Sequence, residues 1–150
     1  RHGILARLAR RASLSLRIAR EDLLGIVYRV DEAGRTITAA QSIEATGQPL
    51  LARVGLRQLT AGGLISRAPR GIHLTDAGRA AARQTVRTHR LWEVYLSREL
   101  GLPSDHVHAP AHRMEHFLTP ALTGQIERSL TESGVVPIED PHGKQIPRAD

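Results

Sequence analysis

The chain has 150 residues, of which 41% are hydrophobic and 24% charged, with a net charge of +6; that is enough apolar material for one packed domain or two small ones sharing a core. It has no cysteine, which excludes disulfides and thiolate metal sites, so any metal must be held by imidazole and carboxylate. No apolar run approaches the roughly 18 residues needed to span a bilayer and no signal-peptide pattern is present, so the expected location is the cytoplasm.

Residues 1–20 alternate Arg with Leu and Ala and carry six Arg and no acid, a helical but poorly anchored segment. Leu23, Leu24, Ile26, Val27 and Val30 recur at helical spacing and predict a long helix over 16–31, ended by Glu32-Ala33-Gly34. Thr38 is placed to cap a short helix over 39–45. Gly47 makes a turn, Pro49 opens a helix to about 61, and Gly62-Gly63 stops it. Residues 64–68 and 72–74 read as two short strands around Pro69-Arg70-Gly71. Helix, short helix, turn, helix and hairpin is the order of a winged helix-turn-helix; the same pieces also fit a small α+β domain with no nucleic-acid role. Thr75 caps a helix over 76–100, which Gly101-Leu102-Pro103 breaks. Pro110 is expected to open a short helix through 117, and Thr119-Pro120 a last one to about 133. The tail 135–150, interrupted by Pro and Gly, reads as extended or loosely packed.

Charge follows the same divisions. Residues 1–20 carry +6 and residues 35–90 carry +7, whereas 21–34 carry −3 and 91–150 carry −4. A basic middle suits phosphates, and an acidic, His-rich end suits a divalent cation.

His112, Glu115 and His116 stand at i, i+3 and i+4, so a helix places all three on one face. His89 and Glu93 repeat the i, i+4 spacing one helix earlier, and His108 precedes His112 by four. These six side chains of ligand type all fall within the 28 residues from 89 to 116, a density that scattered surface histidines do not explain. A rival reading exists: His112-Arg113-Met114-Glu115-His116 fits H-x-x-E-H, the inverted zinc-peptidase motif, with Glu115 as general base. Only 34 residues follow His116, which leaves little chain to build a substrate cleft. No enzymatic activity is therefore expected.

The runs His89-Arg90-Leu91-Trp92-Glu93, Leu100-Gly101-Leu102, Val107-His108, Ala111-His112 and Glu115-His116 resemble the metal-binding and dimerisation region of the iron- and manganese-dependent repressors, the diphtheria-toxin-repressor family. Leu74-Thr75-Asp76-Ala77-Gly78, Asp140-Pro141-His142-Gly143 and Ile146-Pro147 extend the similarity over about residues 21–147. The resemblance implies a mainly α fold: a winged helix-turn-helix over 21–88, then an all-helical metal-binding and dimerisation domain over 89–134, with a basic linker or juxtamembrane segment at 1–20 and the tail at 135–150. It implies one metal site at His89, Glu93 and His108 and another at Glu115, His116, His112 and, from the first helix, Asp22. A cation joining Asp22 to the other three would fix the two halves against each other and set the spacing of recognition helices in a homodimer. Asp22 tilts the choice towards Mn²⁺ and the extra imidazole of His112 towards Zn²⁺ or Fe²⁺.

Two departures bear on output. The recognition helix begins Pro49-Leu50-Leu51-Ala52-Arg53, where family repressors carry small polar residues. Leu50, Leu51 and Ala52 cannot hydrogen-bond a base, and Gly55 weakens the helix by about 1 kcal/mol relative to Ala. Arg53, Arg57, Arg67 and Arg70 remain as phosphate ligands, so weak DNA binding is expected. The segment Arg1-His2-Gly3-Ile4-Leu5-Ala6-Arg7 resembles the cytoplasmic end of ABC-type manganese, zinc and iron permeases, and its Arg excess suits the cytoplasmic face of an inner membrane. Met114 is the only methionine, so Arg1 is not expected to be a natural start. The alternatives are a DNA-binding repressor and the same sensor tethered to a permease and its ATPase.

Overall fold

Among residues 2–148, which the computed structural model describes, the elements run α1 (His2–Glu32), α2 (Ala39–Ala45), α3 (Pro49–Ala61), β1 (Ile65–Ala68), β2 (Gly71–Leu74), α4 (Asp76–Arg98), α5 (Ser104–Met114), a 3₁₀ turn (Glu115–Phe117) and α6 (Pro120–Glu132). Arg1 and the last two residues of the expected tail lie outside the described residues. The chain divides into two compact units, Arg1–Ala82 and Arg83–Asp150, the division falling within α4. No helix among the described residues is long and apolar enough to cross a membrane.

In the first unit, α1 is one helix of 31 residues, where the sequence reading separates a basic segment from a helix over 16–31. Ala, Leu and Arg are strong helix formers and no proline interrupts them, so the helix has no reason to stop. Ala19, Leu23 and Val27, one turn apart, are fully buried and face the core with Leu56, Leu59, Ile65 and Ile72. Gly55, read from sequence as a weak point of α3, lies where α1 crosses: a Cβ there would stand 3.1 Å from Arg20 Cγ. Thr38 caps α2 as expected, in a reciprocal capping box with Gln41.

The hairpin pairs antiparallel, Ile65 opposite Leu74 and Ala68 opposite Gly71. Its second strand is tied to the loop before α2, since Ile72 N–H donates to the Ile37 carbonyl at 2.9 Å. Its exit into α4 is fixed by Thr75, whose hydroxyl donates to the Gly63 carbonyl and accepts from Gly78 N–H. Gly78 passes so close to the residue before β1 that a Cβ would lie 1.9 Å from the Leu64 carbonyl oxygen.

In the second unit, Leu91 and Val94 of α4 pack with Ile126 and Leu130 of α6, while Leu96 packs with Val107 and Ala111 of α5. Pro110 does not open a helix as the sequence reading expects; α5 begins at Ser104 and Pro110 lies inside it. Burial of Val107 and Ala111, four apart, outweighs the lost backbone bond at the proline. Among the described residues after α6 there is no further helix or strand; Val136 and Ile138 are exposed, but the turn that follows them is anchored. Asp140 is buried; its Oδ1 accepts from His142 N–H and Lys144 N–H, and its Oδ2 pairs with Arg90 Nε at 3.4 Å. Arg90 also donates to the Gln145 carbonyl, and Val135 and Ile146 pack against the α4–α6 core.

Candidate metal centre

One turn of α4 separates His89 and Glu93, and both are buried. The second helical segment supplies His108 and His112 from α5. There the backbone tightens into the 3₁₀ turn that carries Glu115 and His116, both buried. The sequence reading put His112, Glu115 and His116 on one α-helical face; a 3₁₀ turn at 115 keeps them adjacent by a different geometry. The ligand atoms of His112, Glu115 and His116 lie within 4.8 Å of one another, and so do those of His89, Glu93 and His108. A first-row cation sitting roughly 2.1 Å from each nitrogen or oxygen fits such a span with small side-chain adjustments. Two imidazoles and a carboxylate in each group suit Mn²⁺, Fe²⁺ or Zn²⁺.

The two groups are contiguous. His89 Nε2 lies 3.0 Å from Glu93 Oε1 and 3.1 Å from His108 Nδ1, and His108 Nδ1 lies 2.9 Å from the same Glu93 oxygen. On its other side, His89 Nδ1 hydrogen-bonds Glu115 Oε2. Glu115 Oε1 faces His112 Nδ1 at 3.0 Å and His116 Nε2 at 3.5 Å. The carboxylates form the floor, with side chains 2–3% exposed, whereas His108 and His112 stand at the rim, 61% and 48% exposed.

This arrangement fixes the charges. Burial alone would raise the Glu115 pKa, but hydrogen bonds from His112 and His89, with attraction to His89 and His116, pull it down to about 2. Glu93 is likewise opposed by burial and lowered by His89 and His108. Burial would lower the His89 pKa, but Glu115 and then Glu93 outweigh it and raise it. His112 and Glu115 do not share one α-helix, which counts against the peptidase reading.

Asp22 is in α1 of the first unit and is buried. Arg53 and Arg57 are exposed on α3, and Arg67 and Arg70 are exposed on the hairpin. Leu50 is 74% exposed and Val54 44%, but Ala52 is fully buried in the core and is no part of the outward face, which corrects the sequence reading. That reading also passed over two contributors. His142 Nε2 stands 3.9 Å from Glu93 Oε1, and Arg90 anchors the loop that carries His142. The turn Asp140-Pro141-His142-Gly143 was a visible signal, but its proximity to Glu93 depends on the Arg90–Asp140 pair.

Residues 75–148 match the family described as "Iron dependent repressor, metal binding and dimerisation domain". The chain is 34% identical over 129 residues to the iron-dependent repressor IdeR of Mycobacterium tuberculosis, covering 85% of this chain and 54% of the repressor. It is 37% identical over 105 residues to a probable metal transport system membrane protein of Chlamydia trachomatis, covering 70% of this chain and 22% of that protein. A solved manganese-dependent transcriptional repressor in complex with manganese superposes with a TM-score of 0.78 at 34% identity, over 87% of this chain and 59% of that one. The chain therefore spans about half the length of the repressors it matches and about a fifth of the transport protein.

Proposed function

Because residues 75–148 belong to the iron-dependent-repressor family of metal-binding and dimerisation domains, we propose that this chain is a divalent-metal sensor for Mn²⁺, Fe²⁺ or Zn²⁺, acting as a metal-responsive regulator of transcription and not as an enzyme. The observation that carries the proposal is the pair of His–Glu–His groups built on buried carboxylates that neighbouring imidazoles keep ionised. His89, Glu93 and His108 would hold one ion; His112, Glu115 and His116 would hold another. Asp22 enters this second set from the family resemblance alone. A bound cation supplies concentrated positive charge that replaces the imidazole protons on Glu93 and Glu115.

The chain is further proposed to work as a homodimer, with DNA as the partner and Arg53, Arg57, Arg67 and Arg70 on phosphates. Met114, Phe117 and Leu122 are 41–57% exposed, and Met114 and Leu122 line an apolar groove of 340 Å³ with the stacked rings of Trp92 and Tyr95. A second reading, that this sensor regulates a membrane permease to which it is joined, is favoured by the likeness to the chlamydial transport protein and the acid-free basic start of α1.

Calorimetry on metal-stripped protein tests the first claim. We expect at least one Mn²⁺ or Zn²⁺ bound per chain, and loss of most of that binding in the Glu115→Ala, His116→Ala double variant. A double variant that binds like the parent removes the site assignment.

A further inference from the structure

Burial changes along α1. Ala19, Leu23 and Val27 are fully buried and Leu14, Ser15 and Leu16 half-buried, whereas Arg7, Arg10, Arg11, Ala12 and Ser13 are exposed. At 1.5 Å per residue, the helix from His2 to Ser13 is about 18 Å long. About twelve residues is the shortest helix that persists in water on propensity alone, so this stretch gains from a surface on which it can lie.

Charge says which surface. Residues 1–20 contain six Arg and no acid, and Glu21, the first acid, is paired with Arg17 at 3.3 Å. Arg7, Arg10 and Arg11 stand at i, i+3 and i+4, so their charges share one face and repel one another, a spacing that weakens an isolated helix. On the opposite side of the helix, positions 5, 8, 12 and 16 hold Leu, Leu, Ala and Leu, and the same row continues as Ala19 and Leu23, which enter the core. The apolar stripe that packs the second half of α1 thus runs on into the half where Arg7 to Ser13 are exposed.

An anionic bilayer answers both faces at once. Its headgroup boundary accepts an apolar row, and its phosphates relieve the mutual repulsion of the guanidinium groups. Duplex DNA would use the same arginines but leave the apolar row in water. We propose that the Gly3–Arg17 stretch of α1 binds the surface of an anionic membrane, lying along it, since α1 is not apolar enough to cross one. The proposal depends neither on the metal reading nor on the chain's being joined to a permease.

The test is co-sedimentation of the full chain with vesicles of phosphatidylcholine alone and of phosphatidylcholine mixed with phosphatidylglycerol. Binding should need phosphatidylglycerol and should fall steeply as salt rises from about 0.01 to 1 M, where the Debye length shrinks from about 30 to 3 Å. Each Arg near an anionic surface strengthens binding about fivefold, so the Arg7→Gln, Arg10→Gln, Arg11→Gln triple variant should bind roughly 100-fold more weakly, with an unchanged melting temperature. Leu8→Ser keeps every charge; it should weaken vesicle binding and leave binding to a DNA duplex as it was. Vesicle binding by the triple variant within twofold of the parent, or binding to phosphatidylcholine alone, overturns the proposal. So does a triple variant that loses duplex binding while Leu8→Ser binds vesicles like the parent, the mark of a DNA-contacting arm. A triple variant whose self-association changes without vesicles assigns the face to a second copy of the chain and overturns it as well.

Discussion

Glu115 and His89 make the candidate centre sensitive to pH, and the two residues act in opposite directions. The Glu115 pKa falls from 4.5 to about 2 in the folded chain, so its contribution to stability is complete above pH 4.5 and is lost as pH falls towards 2. The His89 pKa is raised above 6.5, so its contribution is complete below pH 6.5 and is lost as pH rises through the folded value. The metal-stripped chain should therefore melt at its highest temperature between pH 4.5 and 6.5. Added Mn²⁺ or Zn²⁺ should move that maximum upwards, because ligation needs deprotonated imidazole. Thermal melts of chelator-treated protein across pH 3–9 measure this, and a melting temperature still climbing at pH 8 without metal would contradict the charge assignment. The grouping of His112, Glu115 and His116 is legible in the sequence, since i, i+3 and i+4 spacing is a local property. The sharing of His89 between two carboxylates was not, because it depends on how the 3₁₀ turn meets α4 across 26 residues of chain.

Elements show the same division between local and tertiary causes. The caps at Thr38 and Thr75, the stop at Gly62-Gly63 and the hairpin around Pro69-Arg70-Gly71 are local chemistry, and they lie where sequence reasoning puts them. The start of α5 is decided by burial of Val107 and Ala111, and the anchored turn after α6 by the Arg90–Asp140 pair and the packing of Ile146, none of which a window of neighbouring residues reveals. Two glycines expose the difference. Gly78 and Gly124 both occupy helices, where glycine ordinarily weakens the helix. At Gly78 a Cβ would meet the Leu64 carbonyl at 1.9 Å, whereas at Gly124 its nearest neighbour is the Arg128 guanidinium at 3.6 Å. Gly78→Ala should destabilise by about 3 kcal/mol, an overpacking cost with no flexible side chain to yield. Gly124→Ala should stabilise by about 0.5–1 kcal/mol through helix propensity and reduced unfolded-state entropy. Urea unfolding midpoints distinguish the two, and equal effects would contradict the close approach of Leu64 to the start of α4.

For the whole molecule the proposed sensor is tested through its partners, and self-association comes first. Sedimentation should report a dimer, weakened by Leu122→Arg on the apolar groove; a strict monomer at high micromolar concentration counts against the proposed assembly. DNA binding can then be read from the outward face of α3. Helical spacing there presents Leu50, Arg53, Val54, Arg57 and Gln58, so two guanidinium groups accompany two apolar side chains and one amide. Guanidinium groups neutralise phosphates whatever the sequence, while Leu50 and Val54 can contact a thymine methyl but accept or donate no hydrogen bond to a base edge. With Arg67 and Arg70 on the hairpin, about four phosphate contacts per chain are available, which gives a log–log salt slope of about −3 to −4. Affinity should sit near 10⁻⁴–10⁻⁶ M at physiological salt, on the order of non-specific association, and Arg53→Ala should reduce the slope by about 1 without changing sequence preference. The measurement is a titration of metal-loaded protein against a random fragment pool at several salt concentrations. Nanomolar, metal-dependent selection of a palindrome would refute this expectation and make the chain an operator-reading repressor. Weak binding indifferent to metal would leave the sensor intact and favour the reading in which it acts on a transporter.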